Sequence, residues 1–123
     1  MEPANTVLIV DDSPMVLKTL SFIVKKAGYN VLSAPDGASA LQLLDGREID
    51  LVLTDFHMPG VNGIELINGM RSREYYSYTP AILFVPDNEI GRSGMIEKSG
   101  ATALFDKSNI QAKIVPTIKK LLG

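Results

Sequence analysis

Val7-Leu8-Ile9-Val10-Asp11-Asp12-Ser13-Pro14 opens on four consecutive apolar residues, breaks on two acids and then presents a helix start. An unbroken apolar run is the pattern of a strand covered on both faces, since a half-exposed strand would alternate. Ser13 suits the N-cap, and Pro14 suits the first helical position, where a missing N–H costs nothing. Val16, Leu17, Leu20, Ile23, Val24 and Ala27 follow at helical spacing, and Gly28 stops the helix.

The same alternation runs through the rest of the chain. Residues 30–34 read as a second strand, and Asp36 as the cap of a helix whose inner face is Ala38, Leu41 and Leu44. Residues 51–54 form a third strand that ends on Asp55, and 63–71 a helix carrying Ile64, Leu66, Ile67 and Met70. Residues 81–85 and, more weakly, 101–105 are the fourth and fifth strands. Between them a fourth helix has only a thin stripe in Ile90 and Ile96, with Gly91 and Gly94 each costing about 1 kcal/mol against Ala. Ile110, Ile114, Val115, Ile118, Leu121 and Leu122 mark the last helix, which Pro116 is expected to bend or delay. Met15 and Met70 read as packing residues, and Tyr75-Tyr76-Ser77-Tyr78 as a half-buried loop. Five strands alternating with five helices predict a flavodoxin-like α/β domain. Its doubly wound, five-stranded parallel sheet has the order 2-1-3-4-5, in one domain over 1–123.

Composition narrows the function classes. A formal charge of −2 leaves no basic footprint for nucleic acid. The longest apolar run, 81–85, is too short to span a bilayer, and the polar N-terminus is unlike a signal peptide. With no cysteine and one histidine, disulfides, thiolate chemistry and zinc are disfavoured, in keeping with a cytoplasmic protein.

In sheets of this order, ligands sit beyond the carboxyl ends of the strands. There the sequence places Asp11 and Asp12 after strand one, Asp55 after strand three, Val85-Pro86-Asp87 after strand four and Lys107 after strand five. Strands one and three are neighbours, so three carboxylates converge with a lysine nearby. Two unit charges 4 Å apart repel by about 4 kcal/mol at an effective dielectric of 20. Such a cluster needs raised pKa values or a divalent cation, and an all-oxygen donor set favours Mg²⁺. An aspartate can also act as a nucleophile toward a phosphoryl group, whose transfer depends on positioning and charge neutralisation. Asp36 and Asp45 read as caps or solvated acids, whereas Asp11-Asp12 precede a serine that already supplies the cap.

Val7 to Ser13, Asp50 to Gly63 with its Asp55-Phe56-His57-Met58-Pro59 core, and Gly100-Ala101 followed by Asp106-Lys107 together resemble the CheY-like receiver domain of two-component response regulators. The resemblance covers essentially the whole chain. It implies that Asp55 is the phosphoacceptor and that Lys107 pairs with the acceptor or its phosphate. It also implies that Mg²⁺ is held by Asp12 directly and by Asp11 through water, together with Asp55 and the backbone carbonyl of His57. The phosphate donor would be a histidine kinase, a phosphotransfer protein or a small phosphodonor, and the output an unidentified protein partner. A monomer or weak dimer is expected.

The departures from the family pattern concern the read-out. The strand-four Thr or Ser that would bond the phosphoryl group is Val85, followed by Pro86 where a small residue is usual. The aromatic switch position is Leu104, and Ser108 stands where a cis proline is typical. A non-proline cis bond costs about 2.5–4 kcal/mol, so a trans Lys107–Ser108 peptide is expected. His57 and Asp87 flank the acceptor at positions that tune phosphoryl lifetime in the family. The competing readings are a degenerate receiver used only as a protein-binding module and an aspartyl phosphohydrolase. The hydrolase wants a second acid where His57 stands. A nucleotide site would need a Gly-rich loop after strand one, which is lacking.

Overall fold

The apolar run that opens the chain is fully buried, Val7 to Val10 each at 0% exposure, because both faces of its sheet are covered. The computed structural model describes residues 4–86 and 99–122. In order these form β1 (Thr6–Val10), α1 (Pro14–Lys26), β2 (Asn30–Ala34), α2 (Gly37–Leu43), β3 (Leu51–Asp55), α3 (Gly63–Arg71), β4 (Ala81–Val85), β5 (Ala103–Asp106) and α4 (Ile110–Leu122). All strand pairs are parallel and the order is β2-β1-β3-β4-β5, as the alternation predicts. Four α-helices lie among the described residues. The expected helix around Ile90, Gly91, Gly94 and Ile96 lies outside them.

Strand alternation divides the core in two. Leu8, Val10, Val52, Leu83 and Val85 meet Ala40 of α2 and Leu66, Ile67 and Met70 of α3. Val7, Ile9, Leu51, Leu53, Ile82 and Phe84 meet Leu20 and Val24 of α1 and Ile114 and Ile118 of α4. Each of these larger side chains contributes roughly 1.5–3 kcal/mol on burial.

The helix ends reflect their local chemistry. Ser13 Oγ accepts from Val16 N–H at 3.4 Å, Pro14 sits at the first position, and Gly28 leaves the helix at φ +103°. Asp36 caps α2 by accepting from Ser39 N–H at 2.7 Å. Asn62 and Glu65 form a reciprocal capping box at the start of α3.

Five expectations are corrected. Ala40, not Ala38, faces the core from α2; Gly37 is wedged against Val61, and that contact sets the helical phase. The fifth strand starts at Ala103, because Thr102 hydroxyl and main chain already bond Ala81 and take the place of a ladder. Pro116 does not delay α4, which begins at Ile110 and runs through it. Pro116 and Ala112, four residues before it, are both exposed, so water can take the carbonyl that proline leaves unbonded. Met15 is 77% exposed rather than packed. The tyrosines split: Tyr76 is buried, its Oη donating to Arg47 O and accepting from Gly46 N–H, while Tyr75 and Tyr78 are exposed.

Gly63 makes the tightest approach to the carboxyl end of β3. A Cβ there would overlap the carbonyl oxygen of Asp55 and lie 2.6 Å from Leu83 Cδ1. Gly63→Ala is therefore expected to lower unfolding free energy by about 2–3 kcal/mol, the upper range for overpacking. Urea denaturation checks this; a loss under about 0.5 kcal/mol, the scale of an ordinary surface change, would contradict the packing described.

Candidate acceptor site at the carboxyl edge of the sheet

Register brings the chemistry to one level. Val10 pairs with Thr54, Asp55 with Phe84, and Val85 with Asp106, so β1, β3, β4 and β5 end at one level, with Asp11, Asp55 and Lys107 at the ends of β1, β3 and β5. One carboxylate oxygen from each of Asp11, Asp12 and Asp55 falls within 4.8 Å of the others. Asp55 and Asp11 are buried and Asp12 is exposed.

Lys107 reaches over β4 from the far strand. Its Nζ donates to Asp55 Oδ2 at 2.7 Å and lies 3.4 Å from Asp11 Oδ2. Burial of Lys107 lowers its pKa, but the hydrogen bond to Asp55 and the charges of Asp55 and Asp11 outweigh that and raise it above 10.5. Asp11 is pushed the opposite way for a carboxylate. Burial and the nearby Asp55 charge raise it above 3.8, against the Ser13 N–H bond and Lys107, which pull it down. Its Oδ1 accepts from Ser13 N–H at 2.9 Å, while its buried Oδ2 has no hydrogen-bond partner among the described residues. A buried carboxylate oxygen that has an ion pair but no hydrogen bond among the described residues, facing two other carboxylates, suits a hard divalent cation.

The remaining expected residues surround this group. His57 is exposed at the rim of an open cleft that Asp12, Met58 and Pro59 also line, and its ring stacks flat on Phe56, centroids 4.6 Å apart. Val85 is fully buried, and Leu104, half-buried, packs on the same core. Asp87 lies outside the described residues. The Lys107–Ser108 peptide is trans, as expected, and Ser108 N–H donates to Asp106 Oδ1 at 3.0 Å, a bond proline cannot make. One residue beside Asp55 was not foreseen. Thr54, to the eye an ordinary β-branched strand residue, donates its hydroxyl to the main-chain oxygen of Asp55 at 3.0 Å.

Residues 7–119 match the family described as response regulator receiver domain. The chain belongs to this family. The receiver domain is 27% identical, over 97% of both chains, to the polar-differentiation response regulator DivK of Brucella ovis. It is 33% identical over 95 residues to the CAI-1 autoinducer sensor kinase/phosphatase CqsS of Vibrio cholerae, of whose length it spans only 14%. Among solved structures it resembles the chemotaxis response regulator CheY4 of V. cholerae, with a TM-score of 0.89 at 26% identity over 97% of this chain and 99% of that one. The receiver domain of a sensor histidine kinase from Pseudomonas aeruginosa PAO1 shares the fold, with a TM-score of 0.88 at 20% identity over 98% and 99% of the two chains. That structure has magnesium coordinated in its active-site cleft. This is a CheY-like two-component signalling module, and receiver domains generally signal rather than turn over substrates. No helix among the described residues is long and apolar enough to cross a membrane.

The raised Asp11 pKa yields a test. A carboxyl whose folded pKa exceeds its unfolded value loses stability as pH rises from the unfolded value through the folded one. Asp11→Asn keeps an oxygen for Ser13 N–H and removes the charge. In metal-free buffer at neutral pH it is expected to melt above the parent. The gap should close below pH 3.8, where Asp11 is protonated in either state. Calorimetry across pH checks this, and an unchanged or lower melting temperature at neutral pH would contradict it.

Proposed function

We propose that this receiver domain, a single unit over residues 1–123, takes a phosphoryl group on Asp55 with Mg²⁺ bound beside it and signals through protein–protein contacts. The observation that carries the reading is the Lys107 ammonium 2.7 Å from Asp55 Oδ2 within a three-carboxylate group. Asp11, Asp12, Asp55 and the His57 backbone carbonyl would hold the ion. The buried Asp11 Oδ2, without a hydrogen bond among the described residues, supports a place for Asp11 in this group, acting through water. When bound, Mg²⁺ supplies positive charge to the phosphoryl oxygens.

The chain's own groups do the rest. Asp55 attacks phosphorus through a carboxylate oxygen as the donor's bond to phosphorus breaks and the donor leaves. Lys107 stays charged throughout, since its pKa is raised, and can follow a negative oxygen from the carboxylate to the phosphoryl group. The donor is a histidine kinase, a phosphotransfer protein or a small phosphodonor. The chain promotes only its own phosphorylation and dephosphorylation, in the cytoplasm, and its output is a protein partner rather than nucleic acid. His57 and Asp87 are assigned to tuning phosphoryl lifetime.

A second reading, a binding module that works without phosphorylation, draws on one feature. Val85 is fully buried and carries no hydroxyl to bond a phosphoryl oxygen, and Leu104 cannot act as an aromatic switch. The intact Asp12, Asp55 and Lys107 set favours the acceptor reading.

Incubation with Mg²⁺ and a small phosphodonor is expected to give an adduct that tandem mass spectrometry locates on Asp55. Asp55→Asn or chelation of the metal abolishes it. No adduct under any donor, and no beryllofluoride binding, would leave the module reading. Val85→Thr is expected to tighten beryllofluoride binding about ten-fold, the worth of a charge-assisted hydrogen bond. An unchanged affinity, measured by titration, would count against Val85 as the missing donor.

A further inference from the structure

We infer that Thr54 is a positioning residue for Asp55, holding the acceptor's own carbonyl through a hydroxyl that no strand ladder can replace. The inference rests on the acceptor reading of Asp55.

A main-chain oxygen at the end of a ladder sets the need. Val52 and Phe56 donate their N–H groups to Pro80 O and Phe84 O, toward β4. Strand alternation therefore turns the N–H and C=O of Asp55 the other way, toward β1. There the last register pair is Val10 with Thr54, and the next residue, Asp11, donates its N–H away to Ala34 O on β2. Among the described residues no main-chain N–H bonds the Asp55 carbonyl. The Thr54 hydroxyl does, at 3.0 Å, and it is fully buried.

Water cannot stand in for that hydroxyl on the α3 side. Gly63 presses against the same oxygen so closely that a Cβ would collide with it. The peptide after Asp55 is then fixed from both directions: Phe56 N–H bonds Phe84 O at 2.9 Å and Phe56 O accepts from Gly63 N–H at 3.0 Å. Thr54 supplies the third anchor, on the one group these two bonds leave free. By alternation along β1, the nearest replacement donor is the N–H of Asp12. Without the hydroxyl, the Asp55 carbonyl would turn toward that loop and carry the acceptor carboxylate with it. The residue is thus built into the acceptor's geometry, although it faces the core and touches no phosphoryl oxygen.

The test uses the intact chain with saturating Mg²⁺ and a small phosphodonor, the rate of Asp55 adduct formation being read by intact-mass spectrometry. Thr54→Val keeps the shape and removes the donor, and is expected to slow phosphorylation by about ten- to a hundred-fold, as sub-ångström to ångström misplacement of a reacting group does. Thr54→Ser restores the donor and is expected to restore the rate to within about three-fold of the parent, a shortfall of under ~0.7 kcal/mol. Ile67→Val, a core change of comparable stability loss on α3, controls for loosening alone and should leave the rate unchanged. If Thr54→Val does not fold, Thr54→Ser against Thr54→Ala makes the same comparison, Ser being the faster. Thr54→Val that is folded and as fast as the parent, or Ile67→Val as slow as Thr54→Val, overturns the role. A parent chain that takes no phosphoryl group overturns the acceptor reading and this role with it, whereas a phosphorylated parent beside an equally fast Thr54→Val overturns the role alone.

Discussion

Three carboxylates at one end of a sheet repel one another, and among the described residues Lys107 is the cation that this domain sets against them. The 2.7 Å bond from Lys107 to Asp55 and the 3.4 Å approach to Asp11 join residues from three strands. The arrangement depends on strand order: β1 beside β3 places Asp11 and Asp12 next to Asp55, and β5 beyond β4 lets a long side chain reach back. Compensation is incomplete. Asp11 keeps a raised pKa and an oxygen without a hydrogen bond among the described residues, a repulsion that a divalent cation would relieve.

Around that charge the backbone is tightly constrained. Gly63 admits no side chain because α3 starts against the Asp55 carbonyl, and Phe56 is bonded at both its N–H and its C=O. Rigid surroundings of this kind favour a reaction that needs positioning more than covalent help. The downstream side is built differently. Val85 and Leu104 share an apolar core with Met58 and Ile64, so the route by which a hydroxyl and an aromatic ring would report on the acceptor is filled with aliphatic packing.

Much of this was legible in the residues. The continuous apolar runs at 7–10, 51–54 and 81–85 became strands because burial on both faces leaves no alternation to confuse with a helix. Ser13-Pro14 and Asp36 marked helix starts because capping is local chemistry. Asp11, Asp12, Asp55 and Lys107 could be grouped because strand order alone dictates which strand ends are adjacent. The features hidden from sequence were matters of three-dimensional contact. The phase of α2 is set by Gly37 against Val61, the start of β5 by Thr102 against Ala81, and the exposure of Met15 by the way α1 lies on the sheet. Thr54 was missed for a related reason: a threonine in a strand looks like any β-branched residue until the carbonyl beside it is found without a ladder partner.

A working acceptor beside an apolar read-out is tested most directly by amide chemical shifts of the full chain with Mg²⁺, before and after adding beryllofluoride. Large shifts are expected at residues 11–13, 54–63 and 106–108, with small ones at 81–85 and 103–105. Shifts of equal size along β4 and β5 would show a conventional switch surviving without its hydroxyl. No shift at Asp55 and its neighbours would contradict the acceptor itself.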